Sequence, residues 1–140
     1  MPFNPLLVKP MRDELAKLGF EDLLTPEAVD TAMENAKTGR TLAVLNYYDR
    51  SAETARTAVG RALERTTLRP EQLVTVFDEQ DIEATARIRS YFPEIPPSSP
   101  SFAFFIDGEL VAFVPRHRIE GRDPDSVAEE LTAALNESYE

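Results

Sequence analysis

Three consecutive polar residues, Asp49, Arg50 and Ser51, follow the apolar run TLAVLNYY and precede a stretch whose apolar residues recur at helical spacing. A strand that turns directly into a helix leaves unpaired N–H groups and partial positive charge at the turn, which suits an anion or a thiolate. This turn contains neither cysteine nor glycine. Ser51 is a candidate nucleophile, but an uncharged serine needs an adjacent base, and only His117 or a carboxylate could serve. His117 is the sole histidine and stands between Arg116 and Arg118, where like charge favours the neutral ring that a base requires. The plainer roles weigh more: Ser51 as the helix N-cap, Asp49 in the same cap, Arg50 as a solvated cation able to hold an anion, and His117 as a structural hydrogen-bonding residue. No residue is assigned to catalysis.

Composition narrows the chemistry further. The 140 residues contain no cysteine, which removes disulfides, thiolate ligands and thiol redox chemistry together. A single histidine excludes a multi-histidine metal centre, no glycine-rich phosphate loop is present, and neither metal nor cofactor is implied. A net charge of −10 disfavours nucleic acid and anionic membrane surfaces, since both require a positive field. The apolar runs are too short to span a bilayer, and the first residues lack the order of a signal peptide, so a cytoplasmic location is expected. The length suits one domain over residues 1–140.

The elements that would position these residues follow from periodicity. Leu7, Met11, Leu15 and Leu18 are spaced as one helical face that Gly19 ends, and Thr25-Pro26 opens a second helix with the stripe Val29, Ala32, Met33 and Ala36. Strand and helix then alternate. The spacing predicts strands over Thr41 to Tyr48 and Leu73 to Phe77, a helix from Ser51 and another capped by Asp81 with the stripe Ala84, Ile88, Tyr91 and Phe92. The two tyrosines at the end of the first strand, Tyr47 and Tyr48, would face opposite sides, one into the core and one toward the surface. Prolines forbid a helix in PEIPPSSP. Asp107-Gly108 joins Ser101 to Ile106 and Leu110 to Val114 as a hairpin, and a last helix begins at Asp123-Pro124. Glu129, Glu130, Glu137 and Glu140 read as its solvated face, and Glu120 as a partner for a nearby arginine.

This order resembles the thioredoxin fold with extra helices in front. The segment PSFAFFIDGEL is similar to the thioredoxin stretch in which a cis-proline opens a strand, which would make Pro100 that proline. If the strand after Pro100 runs antiparallel to the strand after Thr41, it starts where that strand ends, and the hairpin returns PRHRIEGR to the same edge. More specifically, MRDELAKLGFEDLLTPEAV, LVTVFDEQDIEATARIRSYF, PPSSPSFAFFIDGELV and PRHRIEGR together resemble the bacilliredoxin family across nearly the whole chain. That resemblance implies a thioredoxin-like domain that removes the small thiol bacillithiol from modified proteins with a Cys-Gly-Cys turn. Here those positions fall on Asp49, Arg50 and Ser51.

The fold expected is therefore α/β: a thioredoxin-like three-layer α/β/α arrangement with a four-stranded mixed central sheet and extra N-terminal helices. The function expected is binding without thiol exchange, at a ligand surface of Arg50, Ser51, Ser99, Pro100, Arg116 and His117. Its ligand would be a peptide or a small anion, held by main-chain groups near Ser99 and by local cations including Arg118. Two alternatives stand beside it: a cysteine-independent enzyme using Ser51 and His117, and a structural subunit that forms a homodimer.

Overall fold

In the computed structural model, which describes residues 2–138, helices sandwich one mixed sheet. The helices are α1 (Pro5–Ala16), α2 (Pro26–Asn35), α3 (Arg50–Arg65), α4 (Ile82–Arg89) and α5 (Pro124–Ser138). The strands are β1 (Glu21–Asp22), β2 (Arg40–Asn46), β3 (Gln72–Phe77), β4 (Ser101–Ile106) and β5 (Glu109–Val114), ordered β1-β3-β2-β4-β5. β2 runs parallel to β3 and antiparallel to β4.

Alternation along β2 shows how the sheet divides its two faces. Leu42 and Val44 pack with Phe102, Phe104, α3 and α5, while Ala43 and Leu45 pack with Ala103, Phe105, α2 and α4. Each successive side chain crosses to the other face, and both faces are covered. That is why the strand reads as an unbroken apolar run. Among the described residues, no helix is long and apolar enough to cross a membrane.

Several expectations need correction. The sheet has five strands rather than four: Glu21 and Asp22 pair parallel to Val74 and Thr75 at its edge. A two-residue polar strand has no periodicity to read, and only its partner makes it a strand. β2 stops at Asn46, not Tyr48, because the Asn46 side chain accepts the Tyr47 N–H at 2.9 Å and Arg56 donates to the Tyr47 carbonyl at 3.0 Å. Neither tyrosine then enters the core; Tyr48 lies flat on Phe3 at 5.1 Å between ring centres. In α1 it is Val8, with Leu15, that is buried, and Leu7 is exposed.

Asp81 does not cap α4 with its side chain, because its carboxylate takes two bonds from Arg12, at 2.6 and 3.0 Å. Tyr91 falls beyond α4 and is exposed, its hydroxyl donating to Asp30 at 2.6 Å. On α5, Glu130 is not part of a solvated face: it pairs with Arg118 and Arg122, each at 2.6 Å. Glu140 lies outside the described residues. The Thr25 cap, the buried stripe of α2 and the Asp107-Gly108 turn, with φ of 50 and 87°, are as the sequence predicts.

Candidate functional site

The loop after β2, the start of α3, the segment before β4 and the short 3-10 turn Arg116–Arg118 meet at one end of the sheet. Register accounts for the meeting, since Leu45 pairs with Ser101 and Phe102 with Val114. The Ser99-Pro100 peptide bond is cis.

Asp49 organises the turn. Its backbone is extended and one carboxylate oxygen accepts the Ala52 N–H at 2.8 Å, so Asp49 is the N-cap of α3. Ser51, expected to be that cap, instead lies one residue inside the helix and is buried. The helix starts earlier because Asp49 already satisfies the free amide, and aspartate caps as well as serine does. The other Asp49 oxygen accepts from Arg116 Nη1 at 2.6 Å, and the same nitrogen donates to the Ser99 carbonyl at 3.0 Å. Arg116 also pairs with Glu120 at 3.1 Å. The hydrogen bond to Asp49 outweighs partial burial and holds the guanidinium above its ordinary pKa range.

Behind the turn sits a residue that sequence reasoning passed over. Arg56 is 5% exposed and donates to Glu14 at 2.9 Å and to the Asn46 side chain and Tyr47 carbonyl, both at 3.0 Å. Its spacing from Ala52 and Val59 puts it on the buried face of α3, and that was the available signal. In front, Arg89 reaches Asp78 at 3.0 Å and the Ser99 hydroxyl at 2.9 Å, and the Tyr47 hydroxyl donates to Glu79 at 2.8 Å. Glu79 bonding holds the Tyr47 phenol above its usual pKa. No local pattern marks Asp78 or Glu79, in the turn after β3, or Arg89, the last residue of α4.

Two clefts flank Ser98 and Ser99. One, of about 440 Å³, is lined by Tyr47, Asp49, Asp78, Glu79, Arg89 and Arg116, and the other, of about 600 Å³, by Ile95, Pro96, Phe113, Pro115, His117 and Glu120; Pro97, Ser98, Ser99 and Arg116 border both. Arg50 is exposed, makes no ion pair among the described residues and lines neither cleft. Arg118 is drawn off by Glu130. Of the cations expected to converge, Arg116 and Arg118 are neutralised by nearby carboxylates, and Arg50 stands apart from both clefts. His117 is exposed at the second cleft, Ser51 lines neither, and no hydrogen bond joins them. Pro100 is buried. Among the described residues, the Ser99 N–H has no hydrogen-bond partner, and no group of three or more acidic or histidine side chains could hold a metal ion.

Known proteins resemble this chain in sequence and in fold. The family model described as Disulphide isomerase matches residues 3–139. A bacilliredoxin of Salinibacter ruber is 46% identical, with 99% of this chain and 82% of that protein covered. A bacilliredoxin of Bacillus cereus is 47% identical, covering 94% of this chain and 92% of its own length. The structure of oxidised thioredoxin O2 from Arabidopsis thaliana superposes with a TM-score of 0.58 at 12% identity, over 86% of this chain and 95% of that one, and shows the shared fold.

Proposed function

The chain belongs to the bacilliredoxin family, and from that premise we propose that it is a docking module that binds an extended peptide at the cis-proline edge and exchanges no thiols of its own. Thiol exchange begins with thiolate attack, and the chain has no cysteine. What supports docking is the unpartnered Ser99 N–H beside the cis bond, set between two clefts. Strand addition to an exposed backbone edge draws affinity from main-chain bonds and selectivity from side-chain clefts.

A peptide is favoured over a small anion because Arg116 and Arg118 are already paired with Asp49, Glu120 and Glu130. A cysteine-independent enzyme built on Ser51 and His117 has no support in their separate placement. A dimer through this edge would cover Ser99, so slow exchange of its amide in a protein of dimeric mass would favour that reading, and fast exchange at monomeric mass would exclude it.

The test has two parts. Pure protein is incubated with a bacillithiol-modified substrate and released thiol is measured by mass; no release above the buffer rate is expected, and turnover would overturn the non-redox assignment. A capped, unstructured peptide is then titrated into isotope-labelled protein. Shifts centred on Ser98 and Ser99 support docking, and shifts elsewhere or none refute it.

A further inference from the structure

The two clefts differ in chemistry, and the difference specifies a ligand. The larger is walled by Ile95, Pro96, Pro97, Phe113 and Pro115. Three of these five are prolines with fixed φ, and Phe113 is braced against Phe92 at 5.7 Å between ring centres. Such a wall loses little conformational freedom when an apolar side chain settles on it.

The smaller cleft is charged and not balanced. Asp49, Asp78 and Glu79 face Arg89 and Arg116. Arg116 pairs with Asp49 and Arg89 with Asp78, which leaves Glu79 as the carboxylate with no cationic partner among the described residues. Glu79 is exposed, and among the described residues its one hydrogen bond comes from the neutral Tyr47 hydroxyl. It stands on a backbone with φ of 63° just after β3, a conformation that glutamate adopts less readily than glycine. The net charge of −10 reinforces the sign of this cleft for any approaching partner.

Ser98 and Ser99 border both clefts. An extended segment laid along them directs successive side chains to opposite sides. One side chain enters the acidic cleft and its two neighbours meet the apolar one. Resting on the docking reading above, we propose that the partner is an extended peptide with a lysine or arginine directly flanked by apolar side chains, the basic group pairing with Glu79 and the apolar groups packing on the proline wall.

The experiment uses the full chain and three capped heptapeptides that differ only at their centre: Val-Lys-Val, Val-Glu-Val and Ser-Lys-Ser. The Val-Lys-Val peptide is expected to shift the amides of Ser98, Ser99, Glu79 and Phe113, with binding that weakens as salt rises. The charge-reversed peptide should bind at least about tenfold more weakly, and the serine-flanked one several-fold more weakly. Glu79→Gln, which keeps an acceptor for the Tyr47 hydroxyl, should narrow the lysine-over-glutamate preference to about twofold. Equal affinity for all three peptides, with shifts at Ser98 and Ser99, would overturn this specificity and leave the docking reading standing. Shifts at Ser98 and Ser99 with the preference unchanged in Glu79→Gln would remove Glu79 from it. No shift at Ser98 and Ser99 with any peptide would overturn both.

Discussion

Arg56 and Arg116 grip the same turn from opposite sides, and they do so differently. Arg56 comes from α3, ten residues from Asn46, and is buried with every contact directed at fixed neighbours. Arg116 comes from 67 residues away, keeps about a third of its side chain in solvent, and ties Asp49 to the carbonyl before the cis-proline. The back of the turn is thus closed and the front is adjustable. Stability falls to the rear arginine and, in the proposed docking mode, ligand contact to the front one, so each can be altered with limited effect on the other.

Removing the rear grip should have the largest effect. Arg56→Ala deletes charged hydrogen bonds to three acceptors and exposes a gap beside β2, and is expected to cost about 2–3 kcal/mol, read from the urea midpoint. A cost below about 0.5 kcal/mol, the range of ordinary surface substitutions, would mean that the two sides of the turn are equivalent. Asp49→Ala belongs to both sides, since it removes the α3 cap and the Arg116 pair, and should cost about 1–2 kcal/mol. Asp49→Asn keeps a capping oxygen and should recover most of that loss, which separates cap from ion pair.

Arg116→Ala should cost less than about 1 kcal/mol, because partly exposed pairs contribute little. Its signature is local: a carbon chemical shift at the Ser99 carbonyl with the urea midpoint nearly unchanged. A loss as large as that of Arg56→Ala would reverse the assignment of roles.

The most gradual effect is that of acid, and it lies outside the turn. Asp30, Glu71 and Asp123 are held below their ordinary pKa, by Arg87, by Arg40 and by the Ser126 amide respectively. Each contributes stability present above the unfolded carboxylate pKa and lost as pH falls through its folded value. Asp22 runs the other way, since burial raises its pKa and protonation relieves it. The urea midpoint should therefore hold steady at neutral pH and fall below about pH 4, with Asp22→Asn making that fall steeper.

What the sequence disclosed, and what it hid, follows the range of the interactions. The α2 cap, the Asp107-Gly108 turn and the strand over 101–106 were legible because propensity and period act within a few residues. The site was legible as a neighbourhood, since antiparallel pairing brings Ser101 to Leu45. Of its ion pairs, only Arg116–Glu120, within one turn of chain, was legible; the long-range ones were not. With 15 basic and 25 acidic residues, nothing local says that Arg116 will choose Asp49 while Arg118 chooses Glu130. β1 was hidden for the same reason, being a strand only by virtue of Val74 and Thr75.

The proline-rich approach to β4 also limits what this edge can become. Pro93, Pro96, Pro97 and Pro100 have no N–H to give, and the Ser99 carbonyl is already occupied by Arg116. Ser99 can therefore offer a rung's proton, while its carbonyl already gives one of its two acceptor positions to Arg116. An added strand finds at most the single rung at Ser99, flanked by prolines without N–H groups, so pairing does not extend into a ladder that templates another chain. A peptide docked as proposed would be held there without turning the edge into a seed for aggregation.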